Sequence, residues 1–478
     1  MGSITHSVIR AIRNTSVRRT SSNNRGGTRV FCTVQCARRE SSVLFVSPVW
    51  PERSSSAAGV RTSDLVSSFV ERGYRVHYAS MSGIDSNNRV HVDTLEEWNV
   101  GTHTCRGNKE DEFVDILHAV DPSVVIFDRF YTEEMFSFIL EKHMPHVCRI
   151  LDMQDVHFLR TWRQEQARGS HTTLDDVIKS IPPASYQPCV RELASIYRSD
   201  LTLVCSPREV ELLQSTFGVD KDLVVEASFF NGSSPFEDSP TPYMQRKHFM
   251  MIGNFRHPPN ADSVEWACTD LWPRIRETLS EQCSLKKDDM PWLHVYGSYA
   301  NNEKLISKIG RPDALGIKLC GFAPTLDIMS EYRVLFAPLR FGAGLKGKIV
   351  DAWHHGLPVV TTVLGSEGMG ETNTCWGGVG SATTADDLVH AAVRLYMDEA
   401  EWSDCQAQGF NLLRALYDGE KNLSQIHSAI ELRLEDMDRF RESNYLGSML
   451  WSQAMRSTEY FSKWIEEKEK SRFLQTGQ

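Results

Sequence analysis

The sequence predicts an α/β fold built as two similar-sized halves, and three observations predict it. Short apolar runs of strand length alternate with segments of helical periodicity. The alternation stops once, at a stretch dominated by Pro, Ser and Gly. It then restarts and runs for a comparable length. Strands alternating with helices mean right-handed βαβ units and a parallel sheet.

The first half opens on Val43–Pro48, a short apolar run that ends in Pro and reads as a buried strand. A small-residue loop from Glu52 to Gly59 follows. Leu65, Phe69 and Val70 then mark a helix that Gly73 closes. Tyr74–Ser80, Val124–Phe127, Val147–Leu151 and Leu201–Cys205 are further strands. Phe113–Val120, Glu133–Glu141 and Val190–Tyr197 are helical. The break falls at 229–245. Beyond it the strands are Phe249–Ile252, Leu293–Tyr296, Ile317–Leu319, Val334–Ala337 and Pro358–Thr362, with helices at Asp262–Trp272 and Asp387–Asp398. The last segment is rich in Glu, Arg and Lys with spaced aromatics (Phe440, Tyr445, Trp451, Tyr460, Phe461, Trp464), which suits one or two amphipathic helices docking on the body with a solvated charged face. The expected division is a leader at 1–40, halves at 41–230 and 246–430, a linker at 231–245 and a tail at 431–478.

Charge is unevenly spread over the 478 residues. Residues 1–39 hold eight Arg and no Lys, Asp or Glu, and taking that +8 from the net −10 leaves −18 on the remainder. An Arg- and Ser-rich, acid-free segment without an apolar stretch has the composition of an organellar transit peptide. The expected location is a mitochondrion or plastid, or the cytoplasm if the segment is only a basic tail. An acidic body argues against a nucleic-acid partner. No apolar run reaches the roughly 18–20 residues of a membrane span, which leaves peripheral membrane contact open. Eleven Cys without a Cys-x2-Cys pair read as free thiols in a reducing compartment. The sequons at Asn14, Asn231 and Asn422 read as chance matches.

The chemistry concentrates in Leu335–Val360: strand, glycine loop, helix, Gly cap, Pro, strand. Glycines let backbone N–H groups approach an anion, and the helix N-terminus adds partial positive charge. Lys346 and Lys348 add full charges in the same turn, so a phosphate or diphosphate is the expected ligand. Arg340 is a third cation of this stretch. Asp351, one turn on, is placed to accept ribose hydroxyls. A second reading of Gly342-Ala343-Gly344-Leu345-Lys346-Gly347 is the dinucleotide fingerprint of a dehydrogenase, with Glu367 twenty residues on. Against it, the motif sits late in its half, whereas that fingerprint opens the first βαβ unit.

This stretch, with Gly253-Asn254-Phe255-Arg256-His257-Pro258-Pro259-Asn260 before it and Gly365-Ser366-Glu367-Gly368-Met369 after it, resembles the group 1 glycosyltransferases of the GT-B fold, near glycosyltransferase family 4. Leu44–Pro51, Ile150–Arg160 and Cys205–Glu211 are similar to the family's segments in the first half. The resemblance spans roughly 43 to 415. It implies two Rossmann-like domains facing a cleft, with a nucleotide-sugar donor on the second, an acceptor on the first, and a final helix crossing back to the first. It implies sugar transfer with retention and without a metal or other cofactor. Carried over, Lys346 and Lys348 neutralise the diphosphate, and Arg256 is a further cation. Gly253 and Asn254 belong to the donor-side loop. Gly59 and Gly344 let phosphates and backbone approach, and Glu367 faces the cleft. Asp155 and His157 bring polar groups to the sugar, and His157 orients the donor, relays a proton or caps the next helix. Lys348, Asp155 and His157 form the expected catalytic set. The family's Glu-x7-Glu pair is replaced by Ala343 and Asp351, which opens a further reading, a GT-B scaffold without turnover. Asp436-Met437-Asp438 is read as a surface match to a metal motif. His354-His355 are read as helix-surface or interdomain residues, since adjacent helical residues diverge by about 100°. The acceptor carries no signature; Ser82–His103 and Ala167–Pro183 are the loops expected to meet it.

Overall fold

The computed structural model describes residues 41–476 apart from 54–55, 170–171, 233, 282, 284, 287, 298–306, 308–310 and 373–375. The leader, with Cys32, Cys36 and Asn14, therefore lies outside the described residues, as do Ser54 and Ser55 of the small-residue loop.

The first sheet has seven parallel strands: β1 Ser42–Ser47, β2 Arg75–Ser80, β3 Gly101–Thr104, β4 Val124–Asp128, β5 Cys148–Asp152, β6 Leu201–Val204 and β7 Val224–Glu226. Their order is β3-β2-β1-β4-β5-β6-β7. The second has six, β8 Lys247–Ile252, β9 Leu293–Tyr296, β10 Ile317–Gly321, β11 Tyr332–Ala337, β12 Val359–Thr362 and β13 Gly378–Ala382, in the order β10-β9-β8-β11-β12-β13. Each sheet reverses its winding beside its first strand, between β1 and β4 and between β8 and β11. Ligands of open α/β sheets bind at the carboxyl ends of strands flanking that reversal.

The local chemistry explains the elements. Every residue of β1 is buried, because a parallel central strand is covered on both faces. The helix Ala57–Glu71 starts where the Ser56 hydroxyl accepts from the Gly59 N–H (3.2 Å), and it ends before Gly73 at φ +83°. In the second half Trp272, Trp353, Trp376 and Trp402 are fully buried.

The described elements differ from expectation in several places. β3, β7 and β13 were not foreseen, since Gly101–Thr104 and Gly378–Ala382 lack an apolar run and β7 has three residues. Ser82–His103 holds a helix, Arg89–Glu97, and most of β3. The expected helix Asp262–Trp272 is one helical run from Pro258 to Glu281, interrupted by a π-turn at Ala267–Leu271. The tail is three helices, Gly419–Glu435, Met437–Ser443 and Tyr445–Thr476.

The first of these already meets the first half: Ile426 and Ile430 enter the core of its sheet, and His427 Nε2 lies 2.9 Å from Ser68 Oγ. Arg441 binds Asp200 at 2.7 Å, and Arg149 stacks 4.1 Å from the Trp451 ring. The cysteines among the described residues are free thiols. Asn422 spends its side-chain N–H groups on the Phe229 and Leu416 carbonyls. Among the described residues no helix is long and apolar enough to cross a membrane.

Candidate functional site

The carboxyl ends of β1, β4, β5, β8, β11 and β12 converge between the halves, and every expected site residue follows one of these strands or lies in the helix after it. The starts of two helices, Ala57–Glu71 and Gly347–His354, abut here: a Cβ on Gly347 would lie 2.4 Å from that of Ala57. The Lys346 side chain does not cap its helix. Two helix N-termini therefore bring their partial positive charges together. Gly59 serves the loop before its helix, where a Cβ would lie 2.2 Å from the Glu52 carbonyl oxygen.

On the first half, His157 Nε2 sits 3.0 Å from Asp155 Oδ1. Its ring packs edge-on to Phe130 (5.6 Å) and stacks on Tyr131 (6.1 Å). Burial alone would raise the Asp155 carboxyl. Arg160, which bonds it directly, and His157 outweigh burial and hold it well below the ordinary carboxylate range. The helix His157–Gln166 is capped by Glu192, not by His157. Glu192 accepts from the N–H groups of His157 (3.0 Å) and Phe158 (2.8 Å), and burial pushes its carboxyl up to about 8. Beneath lies a buried network in which Arg61 binds Asp152 at 2.7 Å while Gln154 Nε2 donates to Thr62, Asp128 and Asp152. Gln154 (φ +61°) and Arg129 (φ +72°) hold left-handed or strained backbone at adjacent strand ends.

On the second half the cations are arranged differently from expectation. Lys348 Nζ donates to Asn260 Oδ1 at 2.6 Å; burial, then the charge of Lys346, lowers its pKa to about 8. Lys346 is buried and turned into its own loop, donating to the carbonyls of Ala343 (3.2 Å) and Gly344 (2.5 Å). It therefore shapes the loop before it meets any ligand. Arg340 is no longer an available third cation, since it forms a two-bond pair with Asp262 (2.9 and 2.5 Å) beside Trp266. The Arg256 side chain is exposed, and its backbone N–H donates to Asn254 Oδ1 (2.9 Å). The Asn254 carbonyl in turn accepts from Asn260 (3.0 Å), whose side chain lies where a Cβ on Gly253 would sit. Glu367 is claimed by Arg163 of the first half through two bonds (2.6 and 2.8 Å). Asp351 is half-buried, and burial pushes its carboxyl up to about 7. Within the same helix end, His355 is buried and its Nε2 lies 3.6 Å from Asp327, so it is not a surface residue. Asp436 and Asp438 are exposed, and among the described residues no group of three or more His, Cys, Asp or Glu could hold a metal ion.

Four residues were missed. Arg163 also donates to the Gly342 carbonyl (3.0 Å), Glu192 caps the helix of His157, and Glu209 contacts the glycine loop. His257 is exposed and stands near Arg160, Asp155, Lys348 and Lys346. Glu209 and His257 lay inside segments quoted for the family resemblance, so their position was visible while their partners were not. The Ala167–Pro183 segment turns toward the second half: Leu174 and Val177 pack with Phe341 and Leu364.

The family model for group 1 glycosyl transferases matches residues 246–398. The second half is a group 1 glycosyltransferase domain. The arrangement of both halves matches solved GT-B structures at low identity, a likeness of fold. A Rickettsia africae glycosyltransferase aligns at 10% identity and TM-score 0.59 over 84% of this chain and 98% of its own. A Thermosynechococcus elongatus sucrose-phosphate synthase aligns at 12% and 0.60 over 82% and 98%. Anabaena HepE in complex with UDP-glucose aligns at 12% and 0.58 over 82% and 99%. No curated protein matches the sequence. By its domain and its fold the protein is a glycosyltransferase. The glycosyltransferase carries its glycine loop after β11, fourth in its sheet order, where the dehydrogenase reading would require the opening strand.

Proposed function

We propose that this glycosyltransferase moves a hexosyl group from a nucleoside-diphosphate sugar to an acceptor hydroxyl held by the first half, with retention and without a metal ion. One observation carries the reading: two helix N-termini abut, Lys348 stands in the first turn of one of them, and the glycine loop just before it packs against Asp155, the partner of His157. In the reaction the bond from the anomeric carbon to the diphosphate oxygen breaks, a bond to the acceptor oxygen forms, and the proton of the acceptor hydroxyl passes to the departing diphosphate. Charge develops on the departing diphosphate, and preorganised positive groups stabilise it there. The helix starts and Lys348 take that role, which supports metal independence. His157, locked by Asp155 and the two rings, orients the sugar. Retention rests on the family resemblance. UDP-glucose is the first donor to test, because it is the ligand of a structural neighbour.

The test is calorimetric titration with UDP-, GDP- and ADP-sugars, followed by product detection across lipid, glycan and protein acceptors. Binding of none by folded protein would overturn the proposal; binding without transfer would favour the scaffold reading opened by Ala343. Lys348→Ala should weaken nucleotide binding by about 2 kcal/mol, or ~30-fold, as expected for loss of a charged hydrogen bond. A pH dependence follows from the same residue. A diphosphate favours the ammonium form of a lysine lowered to about 8, so binding takes up a proton above that pH. Affinity should fall by up to about tenfold per pH unit from pH 8.5 upward, and Lys348→Ala should flatten the slope.

A further inference from the structure

Glu209 belongs to the first half, in the helix Pro207–Ser215, and is 3% exposed. Its Oε1 accepts from two backbone N–H groups in different halves: Val156 (3.2 Å), immediately before the His157 helix, and Gly344 (2.6 Å), inside the glycine loop. Its Oε2 is buried with no hydrogen-bond partner. The two loops are in close contact around it. Gly344 has φ +65°, and a Cβ there would sit 2.7 Å from Asp155 Cβ. One turn back, a Cβ on Gly368 of the second half would meet Ser206 Oγ at 2.4 Å.

We propose that Glu209 is a positioning residue: its single shared oxygen sets the register of the glycine loop against the turn carrying Asp155 and His157. The functional consequence rests on the proposed glycosyl transfer; the structural link does not. Burial, then the charge of Asp155, pushes the Glu209 carboxyl up to about 7, so the two amide N–H bonds rest on the accepting oxygen rather than on its charge, and at a buried site water does not compete for it. Gly344 is itself buried, so losing the carboxylate orphans its N–H and frees the loop to drift. Drift moves the helix start and Lys348 relative to His157. Alignment at the reacting bond is more sensitive to such a displacement than the hold of Lys348 and its own helix start on the nucleotide, since those two move together. A glutamine keeps the accepting oxygen and should substitute; an alanine cannot.

The test has two arms on the full chain. The first is amide hydrogen exchange of peptides covering 154–158 and 342–347 without ligand. Glu209→Ala should speed exchange of both by tenfold or more, while Glu209→Gln stays within about threefold of wild type. The second uses UDP and UDP-glucose. UDP Kd should stay within about threefold in both variants, and kcat for UDP-glucose turnover should drop at least tenfold in Glu209→Ala with KM unchanged. Unchanged exchange of either peptide in Glu209→Ala overturns the proposal. So does a loss of UDP affinity matching the loss in kcat, or a Glu209→Gln variant as impaired as Glu209→Ala. If Glu209→Ala does not fold, Glu209→Asp decides, since it keeps the charge but shortens the reach; wild-type exchange at both peptides would overturn the idea. If the wild type binds neither UDP nor UDP-glucose, the transfer reading loses its first donor while the exchange arm still decides the link.

Discussion

Replacing Arg163 with methionine should cost about 3–5 kcal/mol and loosen the second half from the first. The guanidinium is 3% exposed and holds Glu367 by two bonds, together with the carbonyls of Gly342 and Ile178. Removing one partner of a buried ion pair leaves the other charge uncompensated, and the penalty is of this size even where the pair itself adds little. Urea unfolding at neutral pH checks it: the midpoint should fall, and the single transition should tend to separate into two. Glu367→Gln should be milder, because Arg163 keeps both carbonyls. The double variant should recover at least about 1 kcal/mol of the summed single losses, the coupling expected of residues in direct contact. A loss below about 1 kcal/mol in Arg163→Met would show that the bridge does not hold the halves together.

Asp351→Asn should stabilise the protein above pH 7 and leave it nearly unchanged below pH 4. Burial raises the Asp351 carboxyl from its ordinary value of 3.8 to about 7. Between those two values the folded state keeps a proton that the unfolded chain releases, so stability falls as pH rises through the window. The deficit is complete above pH 7. A shift of about three units, at ~1.4 kcal/mol each, puts it on the order of 2–4 kcal/mol once partial solvation is allowed for. Unfolding midpoints of both proteins at pH 4 and pH 8 measure it. A residue kept at such a cost points to a use. If Asp351 accepts ribose hydroxyls, the stabilised variant should bind nucleotide more weakly, the usual exchange of stability for function.

The central strands were legible because parallel strands covered on both faces must be continuously apolar, as in Val43–Phe45 and Val334–Ala337. Three of the four edge strands, β3, β7 and β13, were not. Gly101–Thr104 and Gly378–Ala382 hold their places through backbone pairing to β2 and β12, and pairing leaves no mark on side-chain pattern. The same contrast runs through the site. Gly344, Lys346 and Lys348 share one turn, so their chemistry could be read together. The ion pairs of Arg340 with Asp262 and of Glu367 with Arg163 join residues 78 and 204 positions apart, and they redirected two residues expected to serve the donor.

The sequence by itself determined two α/β halves, the glycine loop with its two lysines between β11 and the Gly347 helix, and the family whose segments it resembles. These are local properties: periodicity, glycine freedom, and charges within one turn of each other. Only the tertiary structure decided which cations remain available, why Lys346 is buried in its own loop, and that Glu209, Glu192, Arg163 and His257 belong to the site. Those depend on burial and on partners from distant segments, because a charge is free or spent according to what folding packs against it.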